Sequence, residues 1–146
     1  LILMKGSFTN SFITVEKDLK DCIVISYENE LNQALLNILS NSKDALNNID
    51  EKDRYMHISS YETNNFAAIE IIDNGGGIDE NIIHRVFEPY FTTKHKSQGT
   101  GLGLYMTHKI LTDSMKGYIH IENCSFHQYD KCTKITLKIP LQIPNN

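Results

Sequence analysis

The amino-acid sequence predicts an α/β domain, in which helices pack on a β-sheet, and three observations indicate this fold class. Several short runs rich in β-branched residues have the composition of strands. Residues 29–50 carry apolar side chains at helical spacing, which predicts a helix of about 20 residues with one face packed on a sheet. Three alternate glycines then run directly into a second apolar helical segment, residues 102–115. A chain of 146 residues fits one domain.

The first half of the chain predicts two pairs of strands. Residues 12–15 and 22–27 are β-branched runs that would pair with each other through a turn at residues 17–18. Residues 55–62 and 66–73 would form a hairpin, because the Thr-Asn-Asn link between them is rich in turn-forming residues.

The second half predicts one more pair of strands. Residues 118–122 and 134–139 alternate in polarity and would be joined by residues 123–130. Residues 141–146 are interpreted as a tail, and residues 1–10 as the remnant of an upstream connection. The whole chain, 1–146, is thus predicted to be a single domain.

Composition argues against several classes of function. The net charge is −4 and the basic residues are scattered, so neither nucleic acid nor a membrane surface is an expected partner. The three cysteines and six histidines lack zinc-site spacing, and the cysteines are interpreted as free thiols in a reducing compartment. No apolar run approaches the ~18 residues of a transmembrane helix.

A line of polar residues follows one side of the first long helix. Asn37, Asn41 and Asp44 are spaced i, i+4 and i+7, so they share a face. Asparagine is a mediocre helix former, which makes two of them on one line noteworthy. The line is either a solvated flank or a row of side-chain oxygens facing a hard cation.

Asp73 ends the strand at residues 66–73 and precedes three glycines, Gly75 to Gly77. An acidic residue beside glycines can be approached closely by a planar ligand. The alternative is that Asp73 only caps a turn. Residues 79–86 would then form a short helix, with Asp79 at its start.

A lid and a phosphate-binding loop are predicted next. Aromatic residues around Pro89 anchor a segment that becomes polar and glycine-flanked, which is typical of a closing lid. The alternative, compatible with a lid, is a loop pinned to the core by Phe87 and Phe91. Gly99, Gly101 and Gly103 then lead into the helix that ends before Gly117. Backbone N–H groups at a helix N-terminus favour an anion, and phosphate is the usual one. A plain flexible loop is the alternative.

The order of these motifs resembles that of sensor histidine kinase ATP-binding domains. Residues 37–42 (Asn-Ile-Leu-Ser-Asn-Ser) resemble the N box of that family, and residues 73–78 (Asp-Asn-Gly-Gly-Gly-Ile) resemble its G1 box. Residues 87–94 (Phe-Glu-Pro-Tyr-Phe-Thr-Thr-Lys) resemble the F box, and residues 99–104 (Gly-Thr-Gly-Leu-Gly-Leu) the G2 box. The same superfamily, called GHKL, includes topoisomerase, chaperone and mismatch-repair ATPases.

The resemblance implies a fold, a substrate and a metal. The fold would be the Bergerat ATP-binding fold, a two-layer α/β sandwich whose mixed, mostly antiparallel sheet of about five strands carries three helices on one face. ATP would lie between the helices and the lid. Asn41 would coordinate Mg²⁺ with Asn37 beside it, Asp73 would accept a hydrogen bond from the adenine amino group, and Thr133 would support Asp73.

The remaining residues assigned by the resemblance surround the nucleotide. Lys94 and Asn37 are the residues expected to act in catalysis, with Lys94 meeting the phosphates. The expected nucleotide-binding residues are Asn37, Asn41, Asp44, Asp73, Gly75, Gly77, Ile78, Phe87, Thr93, Lys94, Gly99, Thr100, Gly101, Leu102, Gly103, Leu104 and Thr133.

Two absences bear on mechanism. Hydrolytic members of the superfamily carry a water-activating glutamate where this chain has Asn37, and an amide cannot take a proton, so a kinase is favoured over an ATPase. None of the histidines has the sequence context of the family's phospho-acceptor. The acceptor is therefore expected on a separate dimerisation domain upstream.

The resemblance also implies partners and leaves alternatives. The expected partners are that dimerisation domain and a response-regulator receiver domain, in a full-length homodimer. The domain is expected in the cytoplasm, with any membrane anchor upstream. The alternatives are a serine kinase of the anti-sigma-factor type, which shares these boxes, and a degenerate interaction module that binds no nucleotide.

Overall fold

The computed structural model describes residues 5–92 and 102–141. The helices and strands, in chain order, are α1 (Lys5–Asn10), β1 (Thr14–Leu19), α2 (Glu28–Leu46), β2 (Tyr55–Thr63), β3 (Phe66–Asp73), α3 (Gly103–Lys109), β4 (Tyr118–Phe126) and β5 (Tyr129–Pro140). A π-helical turn, Ile110–Ser114, extends α3. Short 3-10 turns lie at Glu51–Asp53 and Ile83–Arg85.

The five strands form one mixed sheet in the order β1-β2-β3-β5-β4. β1 runs parallel to β2, and the other three neighbouring pairs are antiparallel. Helix α2 packs on α3 and on one face of this sheet, the π-helical turn after α3 contacts β4, and α1 adds Phe8 to the same core. The predicted fold class, a two-layer sandwich with a mostly antiparallel sheet, is confirmed.

Helix α2 is the principal helix of the core. Its apolar stripe buries Ala34, Ile38, Leu39 and Leu46 against the sheet, as its helical spacing predicts. Glu28 and Glu30 lie in the first turn, where acidic side chains complement the helix dipole. The opposite flank of this helix remains available for polar contacts with α3.

The hairpin predicted for residues 55–62 and 66–73 is confirmed by β2 and β3. Thr63 pairs with Phe66, so Asn64 and Asn65 alone form the turn. Both have positive φ, 47° and 67°. A tight two-residue hairpin turn requires such angles, and asparagine tolerates them better than most residues. This turn fixes the register that places Asp73 at the far end of β3.

The predicted strand pair at residues 12–15 and 22–27 is wrong. β1 runs straight through the expected turn, and Lys17 pairs with Ile58 of β2. The Lys-Asp dipeptide is a weak turn signal because it contains neither glycine nor proline, whereas β2 offers an edge on which β1 pairs. Residues 22–27 form no strand; Val24 packs on the core, while Ile23 and Ile25 remain exposed.

Two further element boundaries differ from prediction. The helix expected at residues 79–86 is reduced to a hydrogen-bonded turn at Asp79 followed by the 3-10 turn. β4 and β5 extend much further toward each other than expected, because Phe126 pairs with Tyr129 and leaves a two-residue turn. Stacking of Tyr55 on Tyr129, with ring centroids 4.9 Å apart, supports this extension.

Gly117 ends the helical segment where the chain approaches β5 closely. A Cβ on Gly117 would lie 2.2 Å from the Lys138 carbonyl oxygen, so no other residue fits without a backbone shift. The cysteines are free, as predicted. Within residues 5–92 and 102–141, none of the helices has both the length and the apolar character needed to cross a bilayer.

Candidate functional site

Asp73 is the buried charge at the centre of the candidate site. It is the last residue of β3, which has β2 on one side and β5 on the other, and its side chain is only 3% exposed. The Gly75 N–H donates to its Oδ1 at 3.0 Å. The Ser42 hydroxyl of α2 is also buried nearby, but forms no hydrogen bond of normal geometry with the described residues.

Burial governs the titration of this carboxyl. Removal from water raises the pKa of Asp73 from 3.8 to about 6, and the Gly75 N–H and Ser42 hydroxyl oppose that rise only in part. The carboxylate is the main form at neutral pH. It is therefore an acceptor-only group held in a largely dry site, suited to a ligand that donates a hydrogen bond.

The glycine turn after Asp73 fits closely between α2 and the sheet. A Cβ on Gly75 would lie 2.8 Å from the Ala45 Cβ, so the backbone passes α2 where no side chain can fit. Gly76 and Gly77 have φ of 103° and 77°, which favour glycine. The Gly76 N–H donates to the Lys131 carbonyl of β5 at 3.2 Å.

Asn123 of β4 joins this turn from the opposite side. Its Oδ1 accepts from the Ile78 N–H at 2.7 Å, and its Nδ2 donates to the Ile78 carbonyl at 2.6 Å and to Glu80 at 2.9 Å. A Cβ on Gly77 would lie 2.9 Å from the Asn123 Oδ1. The Gly-rich turn is thereby held on several sides rather than free.

Thr133 is placed directly beside Asp73. The two residues are partners in the β3–β5 register, and Thr133 is 7% exposed. Asn74, by contrast, turns its side chain away from the site. Its Oδ1 accepts from the Tyr55 N–H at 2.9 Å and its Nδ2 donates to the Asp53 carbonyl at 2.7 Å. Asn74 therefore fastens the start of β2.

The polar line on α2 reaches the start of α3. The Asn37 Nδ2 donates to the Gly103 carbonyl at 3.4 Å and to the Thr107 hydroxyl at 3.3 Å, while its Oδ1 accepts from Gln33 at 3.0 Å. Asn41 and Asp44 follow on the same helix and are half-buried. Of the two readings of this line, a fully solvated flank is wrong for Asn37.

The N-terminal end of α3 holds the described part of the glycine ladder. Leu102 precedes the first turn, Gly103 begins the helix, and Leu104 packs on the core. Phe87 also packs on the core, with its ring centroid 5.1 Å from that of His108. Phe87 thus anchors the segment predicted to form a lid. Thr93, Lys94, Gly99, Thr100 and Gly101 lie outside the described residues, as does most of the lid.

Sequence reasoning missed three residues that lie at the candidate site. Thr107 is fully buried and donates back to the Gly103 carbonyl at 2.9 Å, a position that looks like ordinary helix core in the sequence. Ser42 lies on the apolar stripe of α2 and gave no separate signal. Asn123 was hidden because residues 123–130 were expected to be a connection rather than part of two strands.

Neither of two surface hollows coincides with this site. One of about 450 Å³ lies on the outer face of the sheet, where Glu122 pairs with Lys134 at 3.3 Å. The other, of about 260 Å³, lies beside Leu19 and α2. No group of three or more His, Cys, Asp or Glu side chains among residues 5–92 and 102–141 could hold a metal ion on its own.

Two curated proteins are similar to this chain in sequence. The sporulation kinase B of Bacillus subtilis is 30% identical over 135 residues, which is 91% of this chain and 29% of that protein. The two-component sensor PprA of Pseudomonas aeruginosa is 35% identical over 93 residues, 61% of this chain and 10% of that protein. The chain thus spans less than a third of the length of these curated relatives.

Solved structures of a histidine kinase have a similar fold. The nucleotide-free catalytic domain of histidine kinase ThkA superposes with a TM-score of 0.80 at 24% identity, covering 97% of this chain and 89% of that one. A complex of ThkA with the response regulator protein TrrA superposes with a TM-score of 0.75 at 20% identity, covering 96% of this chain and 37% of that one. These likenesses establish a shared fold.

The sequence model of the histidine kinase-, DNA gyrase B- and HSP90-like ATPases matches residues 26–143, most of the chain. That range includes Asp73, the glycine turn, the polar line of α2 and the start of α3. The chain therefore belongs to the histidine kinase-, DNA gyrase B- and HSP90-like ATPase family.

Proposed function

We propose that this chain is the catalytic and ATP-binding domain of a sensor histidine kinase. It binds Mg-ATP and transfers the γ-phosphoryl group to a histidine on a separate dimerisation and acceptor domain, for relay to a response-regulator aspartate. The observation that carries the proposal is the buried Asp73 carboxylate beside the close-packed Gly75. Membership of an ATPase family and the names of the curated relatives support it.

Asp73 recognises adenine by charge. Its carboxylate accepts a hydrogen bond from the 6-amino group, whereas guanine presents a carbonyl oxygen at that position, and two acceptors repel each other. Gly75 and Gly77 let the base approach the backbone, and Ile78 adds apolar contact. Thr133 lies beside Asp73 and supports its orientation. The residues present therefore fit an adenine base.

The phosphates are proposed to lie further along α2, toward the start of α3. Asn41 would hold Mg²⁺ with Asp44 nearby, and amide and carboxylate oxygens are suitable ligands for this hard cation. The metal would neutralise phosphate charge during transfer. Lys94 and the backbone of Gly99, Thr100, Gly101 and Gly103 would contact phosphate oxygens, and Thr93 would stand beside Lys94.

The chemistry is a direct phosphoryl transfer. A nitrogen of the acceptor imidazole bonds to the γ-phosphorus, the bond from that phosphorus to its bridging oxygen breaks, and ADP leaves while the other ring nitrogen releases its proton. This chain contributes orientation and charge neutralisation. Asn37 favours transfer over hydrolysis because its amide cannot activate water, and its contacts to Gly103 and Thr107 hold α2 against α3.

The partners follow from this chemistry. The acceptor domain would dimerise, so the full-length protein would be a homodimer, located at the cytoplasmic side with any membrane anchor outside this domain. Neither nucleic acid nor lipid is a partner of the domain itself. ThkA has been captured with its response regulator TrrA, which supports a receiver domain as the second partner.

Phosphorylation of the full-length protein tests the proposed activity. Incubation with γ-labelled ATP and Mg²⁺ should produce a phosphoprotein whose label is lost in acid and retained in base, because the phosphorus is bonded to nitrogen. An acid-stable label would indicate the serine kinase alternative, and absence of both label and ATP binding would indicate a degenerate module.

Asp73→Asn tests the adenine contact. The amide cannot act as an equivalent charged acceptor, and loss of a charge-assisted hydrogen bond of ~1.5–3 kcal/mol should weaken Mg-ATP binding by about 10-fold to 100-fold in calorimetry. Asp130→Asn, an exposed aspartate on β5, serves as the control. Unchanged affinity in Asp73→Asn would exclude Asp73 from base recognition.

The same variant should be more stable than the wild type without nucleotide. A pKa that rises from 3.8 when unfolded to about 6 when folded means that the charged form costs ~3 kcal/mol above pH 6. Urea unfolding at pH 7 should therefore show Asp73→Asn to be more stable. The difference should shrink as pH falls through 6 and vanish near 4. A difference independent of pH would contradict this account.

Asn41→Ala tests the metal site. The variant should lose most of the increase in ATP affinity that Mg²⁺ provides, because the amide oxygen proposed to hold the metal is removed. Asn32→Ala is the matched control, since Asn32 is exposed on a different side of the same helix. Equal responses of the two variants to Mg²⁺ would remove Asn41 from the metal site.

A further inference from the structure

Asn123 uses its side-chain amide like a segment of strand backbone. The Oδ1 accepts from the Ile78 N–H at 2.7 Å and the Nδ2 donates to the Ile78 carbonyl at 2.6 Å, so both backbone groups of one residue are satisfied by one side chain. Ile78 belongs to none of the strands, so these groups have no place in the backbone hydrogen-bond ladder of the sheet. The second amide hydrogen goes to the Glu80 carboxylate at 2.9 Å.

The sheet places Asn123 in line with the proposed base-recognition residues. Asp73 pairs with Thr133 across β3 and β5, and Thr133 pairs with Asn123 across β5 and β4. Paired residues of neighbouring strands point to the same face of a sheet. Asp73, Thr133 and Asn123 therefore form one row across three strands, with the glycine turn spanning the row from Asp73 to Asn123.

The turn also fits around Asn123 in a way that restricts Gly77. A Cβ there would approach the Asn123 Oδ1 to 2.9 Å, and the φ of 77° already disfavours other residues. The turn is thus held at Gly75 by the Asp73 carboxylate, at Gly76 by the Lys131 carbonyl and at Ile78 by Asn123. These attachments together set the distance between Asp73 and the backbone of residues 75–78, and Asn123 is the one that holds the end of the turn.

We infer that Asn123 is a positioning residue for nucleotide recognition, which holds the Gly75–Ile78 turn at the separation from Asp73 that an adenine base requires. The inference rests on the proposed function, because it assigns the turn as one wall of the base site. Asn123 makes no contact with the base itself. It acts through Ile78, and Glu80 orients its amide so that the oxygen faces the Ile78 N–H.

The test compares two nucleotides in two proteins. Wild type and Asn123→Ala are titrated with Mg-ATP and with the magnesium complex of purine riboside triphosphate, which lacks only the 6-amino group. The wild type should prefer ATP by about 10-fold to 100-fold, the value of one charge-assisted hydrogen bond. In Asn123→Ala the preference for ATP should fall toward unity, because the displaced turn no longer holds the adenine 6-amino group within hydrogen-bonding distance of the Asp73 carboxylate.

A purely structural role gives a different result. A general loosening of the fold would weaken the binding of both nucleotides by the same factor and leave the preference for ATP as in the wild type. That outcome would overturn the inference. An unchanged ATP affinity in Asn123→Ala would overturn it as well. Asn81→Ala, an exposed asparagine three residues after Ile78, is the matched control and should behave as wild type. Asn123→Ser keeps one hydroxyl group that can donate and accept, so it should recover part of the preference for ATP. If Asn123→Ala does not fold, Asn123→Ser takes its place in the comparison.

Amide hydrogen exchange separates this inference from the proposed function. The Ile78 amide should exchange slowly in nucleotide-free wild type and much faster in Asn123→Ala, whereas amides in the centre of β3 should be unaffected. Slow exchange at Ile78 in both proteins overturns the positioning role even if ATP binds. Failure of the wild type to bind Mg-ATP overturns the proposed function, and with it the assignment to a base site, whatever the exchange at Ile78.

Discussion

The Asp73 carboxylate is held almost entirely out of water at the end of a central strand, and the surrounding elements are arranged to keep it there. Two neighbouring strands fix β3 from both sides, so the side chain cannot turn outward. One backbone N–H and a nearby hydroxyl compensate the lost hydration only in part. A group that costs ~3 kcal/mol of stability and joins no ion pair with a described residue is better explained by ligand binding than by folding.

Helix α2 links the two ends of the proposed site. Its C-terminal half lies against the Asp73 turn through Ser42 and Ala45, and Asn37 contacts the start of α3. From Asn37 to Ala45 is eight residues, a rise of ~12 Å along a helix. The packing that buries the apolar stripe of α2 in the core therefore also sets the separation between the base end and the phosphate end.

Much of the fold was predictable because local patterns and tertiary contacts agree. The period of α2, the Asn64–Asn65 turn and Asp73 at a strand end all appear in the sequence and in the structure. The prediction of a strand at residues 22–27 was wrong because β-branched composition does not show whether the edge of another strand is available for pairing. β1 pairs with β2 in parallel rather than with residues 22–27, and this pairing joins residues some 40 positions apart in the chain.

The contacts of the site were less predictable than its motifs. Asn123 could not be identified before the lengths of β4 and β5 were known, because its role depends on register across three strands. Asn37 was assigned beside the metal, yet its amide groups are engaged by Gln33, Gly103 and Thr107. Sequence spacing places side chains on a face of a helix, but only the packing of the neighbouring helix shows what they contact.

The most direct measurement is the titration of the Asp73 carboxyl carbon by NMR, with and without saturating Mg-ATP. Without nucleotide the pKa should be about 6, as burial requires. With nucleotide it should fall well below that value, because a hydrogen bond from the adenine amino group favours the charged form. A pKa that is the same with and without Mg-ATP would show that the Asp73 carboxylate does not accept a hydrogen bond from the adenine base, which would contradict the proposed role of Asp73.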